Sequence, residues 1–287
     1  MRLSVVPLLL LLCATACLAQ PGTKSRANNC GEVIAIDTHD RSTTRYSLAQ
    51  PQGASAQGAP IALVLLAGGS GHVDLDGEGC ARALKGNSLV RSIPLFRAAG
   101  FTTALVDAPS SHHGDDGLGG LRNQAEHAED LGKIIADLRA RTQGAVWVVG
   151  TSRGSISAVN AASRLSGSSA PDGVVLTSAL MSGQRGARKS WVAQSVFDLK
   201  LEAITVAVLV VGHAADQCLR SPASLMGDIT ARTNSDREQV VMVTGGPGSS
   251  AGGPSLDACE GSSPHGFVGQ EAEVASGIAR FIHGGKY

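Results

Sequence analysis

Gly150-Thr151-Ser152-Arg153-Gly154 lies where the apolar run "VWVV" gives way to "SISAVNAASRL", whose small and apolar residues suit a helix. Two glycines around a serine at a strand-to-helix turn let the chain bend so tightly that the hydroxyl is presented above the sheet. A serine hydroxyl is a weak nucleophile until a base takes its proton, so a histidine and an orienting acid should follow in the chain. Of the eight histidines, His265 in "SSPHGFVGQEAE" falls in a loop after the last apolar run and just before the last helical stretch. His39 comes before the main apolar runs, His127 lies inside a helical pattern, His112 and His113 share a polar loop, and His283 is near the chain's end. For the acid, "ITVAVLVVGHAADQC" offers a buried-type strand followed at once by a loop containing Asp216, with His213 a neighbour rather than the base. Asp107, at the end of an earlier strand, is the second candidate for the acid.

These residues need a frame that brings them together. Residues 33–36 and 43–48 read as an antiparallel pair. "IALVLLAGG" (61–69) is apolar throughout, as in a strand covered on both faces. Further strands are expected at 101–108, 145–150, 173–180, 204–211 and 239–244. "LVRSIPLFRAAG" has helical spacing and stops at Gly100, with Pro94 an irregularity inside it. "RNQAEHAEDLGKIIADLRARTQG" puts Ala128, Leu131, Ile134, Ile135 and Leu138 on one helical face, and a last helix is expected over about 269–283. Strand and helix in alternation mean a mostly parallel sheet with helices on both faces, a single α/β domain over 31–287. Sites in such sheets form beyond the carboxyl ends of the strands, where Ser152 and Asp216 both fall.

Composition narrows the function classes. The 287 residues are 43% hydrophobic and 17% charged, enough for a sizeable core. The 24 basic and 24 acidic side chains cancel, which argues against a nucleic-acid partner or attraction to anionic lipid. "MRLSVVPLLLLLCATACLAQ" has an early positive charge, an apolar run and small residues after it. That is a signal-peptide pattern over 1–19, with cleavage after Ala19 or, second, Ala16, and a flexible leader over 20–30. "ATAC" also allows a lipidated Cys17. The mature chain is therefore expected outside the cytoplasm, secreted or periplasmic, with no integral membrane segment. Four cysteines then remain, Cys30, Cys80, Cys218 and Cys259, an even number suited to disulfides.

The chain order Ser152, Asp216, His265, each after its own strand, resembles that of the serine α/β-hydrolase superfamily. "VWVVGTSRG" resembles the family's nucleophile elbow, "VLVVGHAAD" its acid-bearing strand, and "PHGF" its histidine loop. The glycine precedes the histidine in "GHAAD", where the family often has the reverse order. The resemblance spans nearly everything from residue 60 onward. It implies an α/β-hydrolase fold and hydrolysis through an acyl-enzyme, with Ser152 as nucleophile, Asp216 as acid and His265 as base. It also implies an oxyanion loop after the first parallel strand, where "LLAGGSGH" stands. There a main-chain N–H of Gly69 or Ser70 would join that of Arg153, although the run departs from the H-G-G-G form.

The remaining motifs are read against other chemistries. "LLAGGSGH" is no phosphate loop, because no G-K-[ST] follows and Asp74 stands where G-x-G-x-x-G needs its last glycine. "SSHHGDDGLGG" (110–120) reads as a polar loop on the cleft rim rather than a metal site, since adjacent ligands rarely converge on one ion. No cofactor or metal is expected. Between 180 and 204 there is room for one short helix near Trp191, so no large lid is expected. An open site favours small, short-acyl or soluble esters. The rival readings are a serine peptidase or amidase on the same fold, and a non-catalytic binding protein on this scaffold. If acid and base meet, the loops bearing Cys218 and Cys259 meet too, and the two cysteines are expected to form a disulfide. Cys30 and Cys80 are a possible second pair.

Overall fold

Neighbouring residues of the apolar strands belong to opposite layers of core. In β7 (Ala207–His213), Val208 and Val210 join one layer while Leu209 and Val211 join the other. A strand so buried on both faces must lie inside a sheet with helices above and below. The structure, a computed structural model, describes residues 30–52, 59–248 and 252–287. The expected signal segment, Cys17 and residues 20–29 of the leader lie outside the described residues.

The strands are β1 (Glu32–Asp37), β2 (Thr43–Ala49), β3 (Ile61–Leu66), β4 (Thr102–Val106), β5 (Ala145–Thr151), β6 (Gly173–Thr177), β7 and β8 (Glu238–Val243). They form one eight-stranded sheet in the order β1-β2-β4-β3-β5-β6-β7-β8. β1 and β2 pair antiparallel, β2 joins β4 antiparallel, and the rest of the sheet is parallel. The order turns back around β3, so β3 and β5 are neighbours and their carboxyl-end loops face each other.

Helices α1 (Ser88–Ala98) and α5 (Glu271–Ile282) pack together on one face. Helices α2 (Ala125–Thr142) and α3 (Gly154–Arg164) pack together on the other, where the short α4 (Met226–Thr230) joins them. Leu131, Ile134, Ile135 and Leu138 of α2 are all buried, as their spacing requires. Burying each such side chain is worth roughly 1.5–3 kcal/mol. Asn87 caps α1 by accepting the Leu89 N–H, and the helix runs through Pro94 without ending there. Gln143, at φ 52°, closes α2 by donating its N–H to the Arg139 carbonyl.

Three expected boundaries move by three residues. α2 begins at Ala125 rather than Arg122, because Arg122 sits in a turn and its side chain goes inward. β6 ends at Thr177 rather than 180. β7 starts at Ala207 rather than 204: Ile204 closes a 3-10 turn by donating to the Leu201 carbonyl and is buried in the core layer that holds α2 and α3. Between β6 and β7 the described chain forms three 3-10 turns, Ser190–Ala193, Val196–Asp198 and Leu201–Ala203, and no helical cap.

Candidate active site

β5 delivers Ser152 to the end of the sheet with φ at 50°, in the left-handed region that serine rarely adopts. Such a conformation costs on the order of 1–3 kcal/mol and persists only where its surroundings hold it. Here they do: the Ser152 N–H donates to the Thr177 carbonyl at 2.9 Å, and its own carbonyl accepts the Ser155 N–H at 3.0 Å. The flanking glycines allow the approach. A Cβ on Gly154 would lie 2.0 Å from the Leu66 carbonyl oxygen, and one on Gly150 would lie 2.5 Å from that of Gly154.

His265 and Asp216 meet across 49 residues of chain. Asp216 Oδ2 lies 2.9 Å from His265 Nδ1, and both side chains are almost fully buried. An ionised carboxylate only accepts, so Nδ1 carries the proton and Nε2 is left with its lone pair. His265 Nε2 has no hydrogen-bond partner among the described residues. His265 and Ser152 line the same cleft of about 360 Å³, with Gly69, Asn87 and Glu260 among its other walls. The histidine loop is tied down at several points. The His265 N–H donates to Ser263 Oγ at 3.1 Å, and the Ser178 hydroxyl donates to the His265 carbonyl at 2.7 Å. Arg91 of α1 donates to the Gly261 and Gly266 carbonyls at 3.1 and 2.8 Å. A disulfide joins Cys218 to Cys259, and a second joins Cys30 to Cys80.

The loop after β3 faces the serine: a Cβ on Gly68 would lie 2.9 Å from the Ser152 Cβ. Gly69, at φ 58°, lines the cleft, whereas the Ser70 carbonyl accepts the Leu118 N–H and its hydroxyl accepts the His72 N–H. Arg153 begins α3, where N–H groups have no acceptor within the helix. Buried Arg122 supports the loop from below, donating to the Ala67 and Gly69 carbonyls at 3.2 and 3.4 Å and to Ser157 Oγ at 3.0 Å. Burial and, secondarily, the Arg153 guanidinium bring its pKa down to about 9, so it stays charged at neutral pH.

Asp107 is not beside His265. It is buried under the loop that follows β3, where it accepts the Val73, Leu75 and Ala108 N–H groups at 2.9–3.0 Å and contacts His72 Nδ1 at 3.0 Å. His213 bonds the Gln270 side chain at 2.8 Å and takes no part in the Asp216–His265 pair. His113 stacks on His72 at 4.2 Å, which brings His72, Asp107 and His113 into a group with metal-ligand atoms within 4.8 Å of one another. The Asp107 oxygens of this group are engaged by backbone amides of Val73, Leu75 and Ala108. Asp216, Cys218 and His265 form another such group, but Cys218 is in a disulfide.

Sequence reasoning missed Arg91, Arg122 and Ser178. Each acts on a main-chain carbonyl distant in sequence, and carbonyls carry no residue-type signal. No helix among the described residues is long and apolar enough to cross a membrane.

No family model matches this sequence, and no curated protein matches it by sequence. Solved structures do share its fold. A lid-less α/β serine hydrolase from Xanthomonas campestris superposes with a TM-score of 0.51 at 14% identity, covering 88% of this chain and 95% of its own. An esterase from Pyrococcus furiosus gives 0.58 at 12% identity, covering 88% of this chain and 90% of its own. A proline iminopeptidase from Mycobacterium smegmatis gives 0.57 at 11% identity, covering 88% and 98%.

Proposed function

The chain has the α/β-hydrolase fold, and we propose that on it Ser152, His265 and Asp216 form the catalytic triad of an exported serine hydrolase of carboxylic esters. One observation carries this reading: Asp216 holds Nδ1 of His265, and His265, whose buried Nε2 has no hydrogen-bond partner among the described residues, lines the same cleft as Ser152.

The steps follow from the geometry. His265 Nε2 takes the Ser152 proton as Oγ attacks the ester carbonyl, and Asp216 stabilises the imidazolium that results. The carbonyl oxygen becomes an oxyanion, for which the Arg153 N–H and that of Gly69 or Ser70 are the donors. Each such donor is worth on the order of 3 kcal/mol of barrier. Collapse expels the alcohol, protonated by Nε2–H, and leaves an acyl-Ser152. Water, deprotonated by the same nitrogen, then attacks the acyl carbon, and a second collapse releases the acid and restores the serine. No cofactor enters the scheme. The lack of a helical cap supports small, soluble esters over lipid aggregates. The two disulfides and the leader pattern support export to an oxidising compartment.

The peptidase reading uses the same triad, and a proline iminopeptidase shares the fold. A fluorophosphonate probe tests the triad: labelling of wild type and none of Ser152→Ala is the expected result. An unlabelled wild type removes the catalytic reading and leaves the binding-protein alternative. Turnover of p-nitrophenyl esters but not of peptide anilides then separates esterase from peptidase.

A further inference from the structure

Arg153 has a second role in its side chain. The guanidinium lies over the Trp191 ring at 4.3 Å, half-buried, and its side-chain N–H groups have no acceptor and no carboxylate partner among the described residues. The Trp191 ring packs against Gly119, where a Cβ would lie 2.7 Å from it. Stacking covers one face of a guanidinium but leaves its in-plane N–H edges free. Those edges match a carboxylate in bidentate geometry.

The one acid that acts on Arg153, Asp116, is already in an ion pair. Arg220 is buried and donates to the Ser182 carbonyl and to that of Val192, and Arg122 donates to the carbonyls and hydroxyl already described. Neither has a carboxylate in ion-pair contact among the described residues. Asp116, the nearby acid, is taken by Lys189. The segment 181–194 brings Arg185, Arg188 and Lys189 and not one Asp or Glu. Burial first, then the Arg220 guanidinium, weaken the proton's hold on Arg153; Asp116 offsets only part of this, and an arriving anion would offset more.

The position is specific to one side of the nucleophile. The cleft wall at 84–88 leads into α1 and that at 259–266 leads to α5, so the cleft opens over their face of the sheet. Arg153 immediately precedes α3 and Gly119 precedes α2, the helix pair of the opposite face, and neither Arg153 nor Trp191 is among that cleft's walls. Arg153 follows Ser152 directly, so the guanidinium is tethered to the residue next to the nucleophile. We infer that Arg153 and Trp191 form a carboxylate subsite beside Ser152, so that the preferred substrates are esters whose acyl chain or leaving group bears a free carboxylate. This rests on the serine-hydrolase reading.

The test compares matched esters on the purified native chain. For the acyl side, mono-p-nitrophenyl glutarate is set against p-nitrophenyl valerate; for the leaving-group side, 4-acetoxybenzoate against its methyl ester. The expected result is a kcat/KM ratio of about tenfold or more for the carboxylate ester in one arm, the size of one charged hydrogen bond. R153M should lower that ratio at least about fivefold, with R153K retaining part of it, as charge without the planar fork would. The ratio is the readout, because the Arg153 N–H also belongs to the oxyanion pair. W191L, which keeps the charge but removes the ring, should lower the ratio too and serves in its place if R153M does not fold. Ratios at or below one in both arms, or a ratio unchanged by these variants, overturn the subsite. If neutral esters are turned over without a carboxylate preference, the subsite alone falls. If no ester is turned over and no probe labels, the hydrolase reading falls and takes the subsite with it.

Discussion

The Cys218 N–H donates to Asp216 Oδ1 at 2.8 Å, and the same cysteine is bonded through its sulfur to Cys259 in the histidine's approach. One carboxylate oxygen is thus held by the disulfide residue while the other holds His265. The bridge closes a separation of 41 residues, worth about 4 kcal/mol on the chain-entropy account. Replacing both cysteines by serine should lower kcat several-fold, more than it raises KM, in protein that is still folded by circular dichroism. Wild-type kcat in that variant would show that acid and base keep register without the bridge. A map of the unreduced native protein in which both thiols alkylate would rule the bridge out.

The two candidate acids separate by readout. Asp216→Asn should cost on the order of 10⁴ in kcat/KM, because an amide no longer stabilises the imidazolium and its NH₂ can force the wrong tautomer. Asp107→Asn should act on stability instead, by about 2–4 kcal/mol in urea, since an NH₂ would face backbone N–H groups that now have an acceptor. The assignment is reversed if Asp216→Asn stays within a few-fold of wild type while folded Asp107→Asn is inactive.

Arg122 positions the loop that carries Gly69 without touching the reacting atoms. Arg122→Met would leave the Ala67 and Gly69 carbonyls without their donor and the loop free to shift. kcat should fall by about 10–100-fold, part of the value of one oxyanion donor, with KM changed far less. Binding of a boronate transition-state mimic should weaken in parallel, and Arg122→Lys should recover part of both. A purely structural role would lower the melting temperature while leaving kcat and the mimic's affinity intact.

How much of this was legible in the sequence depended on whether a signal is local. The parallel sheet was, because a strand buried on both faces must be apolar throughout, and Val146 to Val149 or Val208 to Val211 can be little else. Ser152 was legible because tight turns restrict side chains, and only glycine fits beside the Leu66 carbonyl. Asp216 and His265 stood out by following strands. The start of β7 was not legible, since Ile204 is as apolar as a strand residue but is buried under a 3-10 turn. Nor was the hold of Arg91 on the histidine loop, where its acceptors lie 170 and 175 residues away and are main-chain oxygens. The loss of Asp107 as acid is of the same kind: a strand-end aspartate looks alike whether it serves a histidine or a row of amides.

His127 extends the support of the site into acid stability. Its Nε2 meets Ser157 Oγ at 2.9 Å, and the same hydroxyl accepts from Arg122, so the pair links α2 and α3 to the loop after β3. Burial, then the Arg122 charge, lowers the His127 pKa from 6.5 to about 3. The folded form therefore binds fewer protons than the unfolded chain between those values. The stabilisation is fully present above pH 6.5 and is lost as pH falls towards 3, at up to about 1.4 kcal/mol per pH unit. His127→Gln, which can still bond Ser157 but does not titrate, should remove that part of the acid slope. The measurement is urea unfolding of both proteins from pH 7 to pH 4.5, taken as a difference so that shared carboxylates cancel. The variant should start less stable at pH 7 and close the gap as pH falls. Parallel loss of stability in the two proteins would mean that His127 does not stay neutral in the folded core.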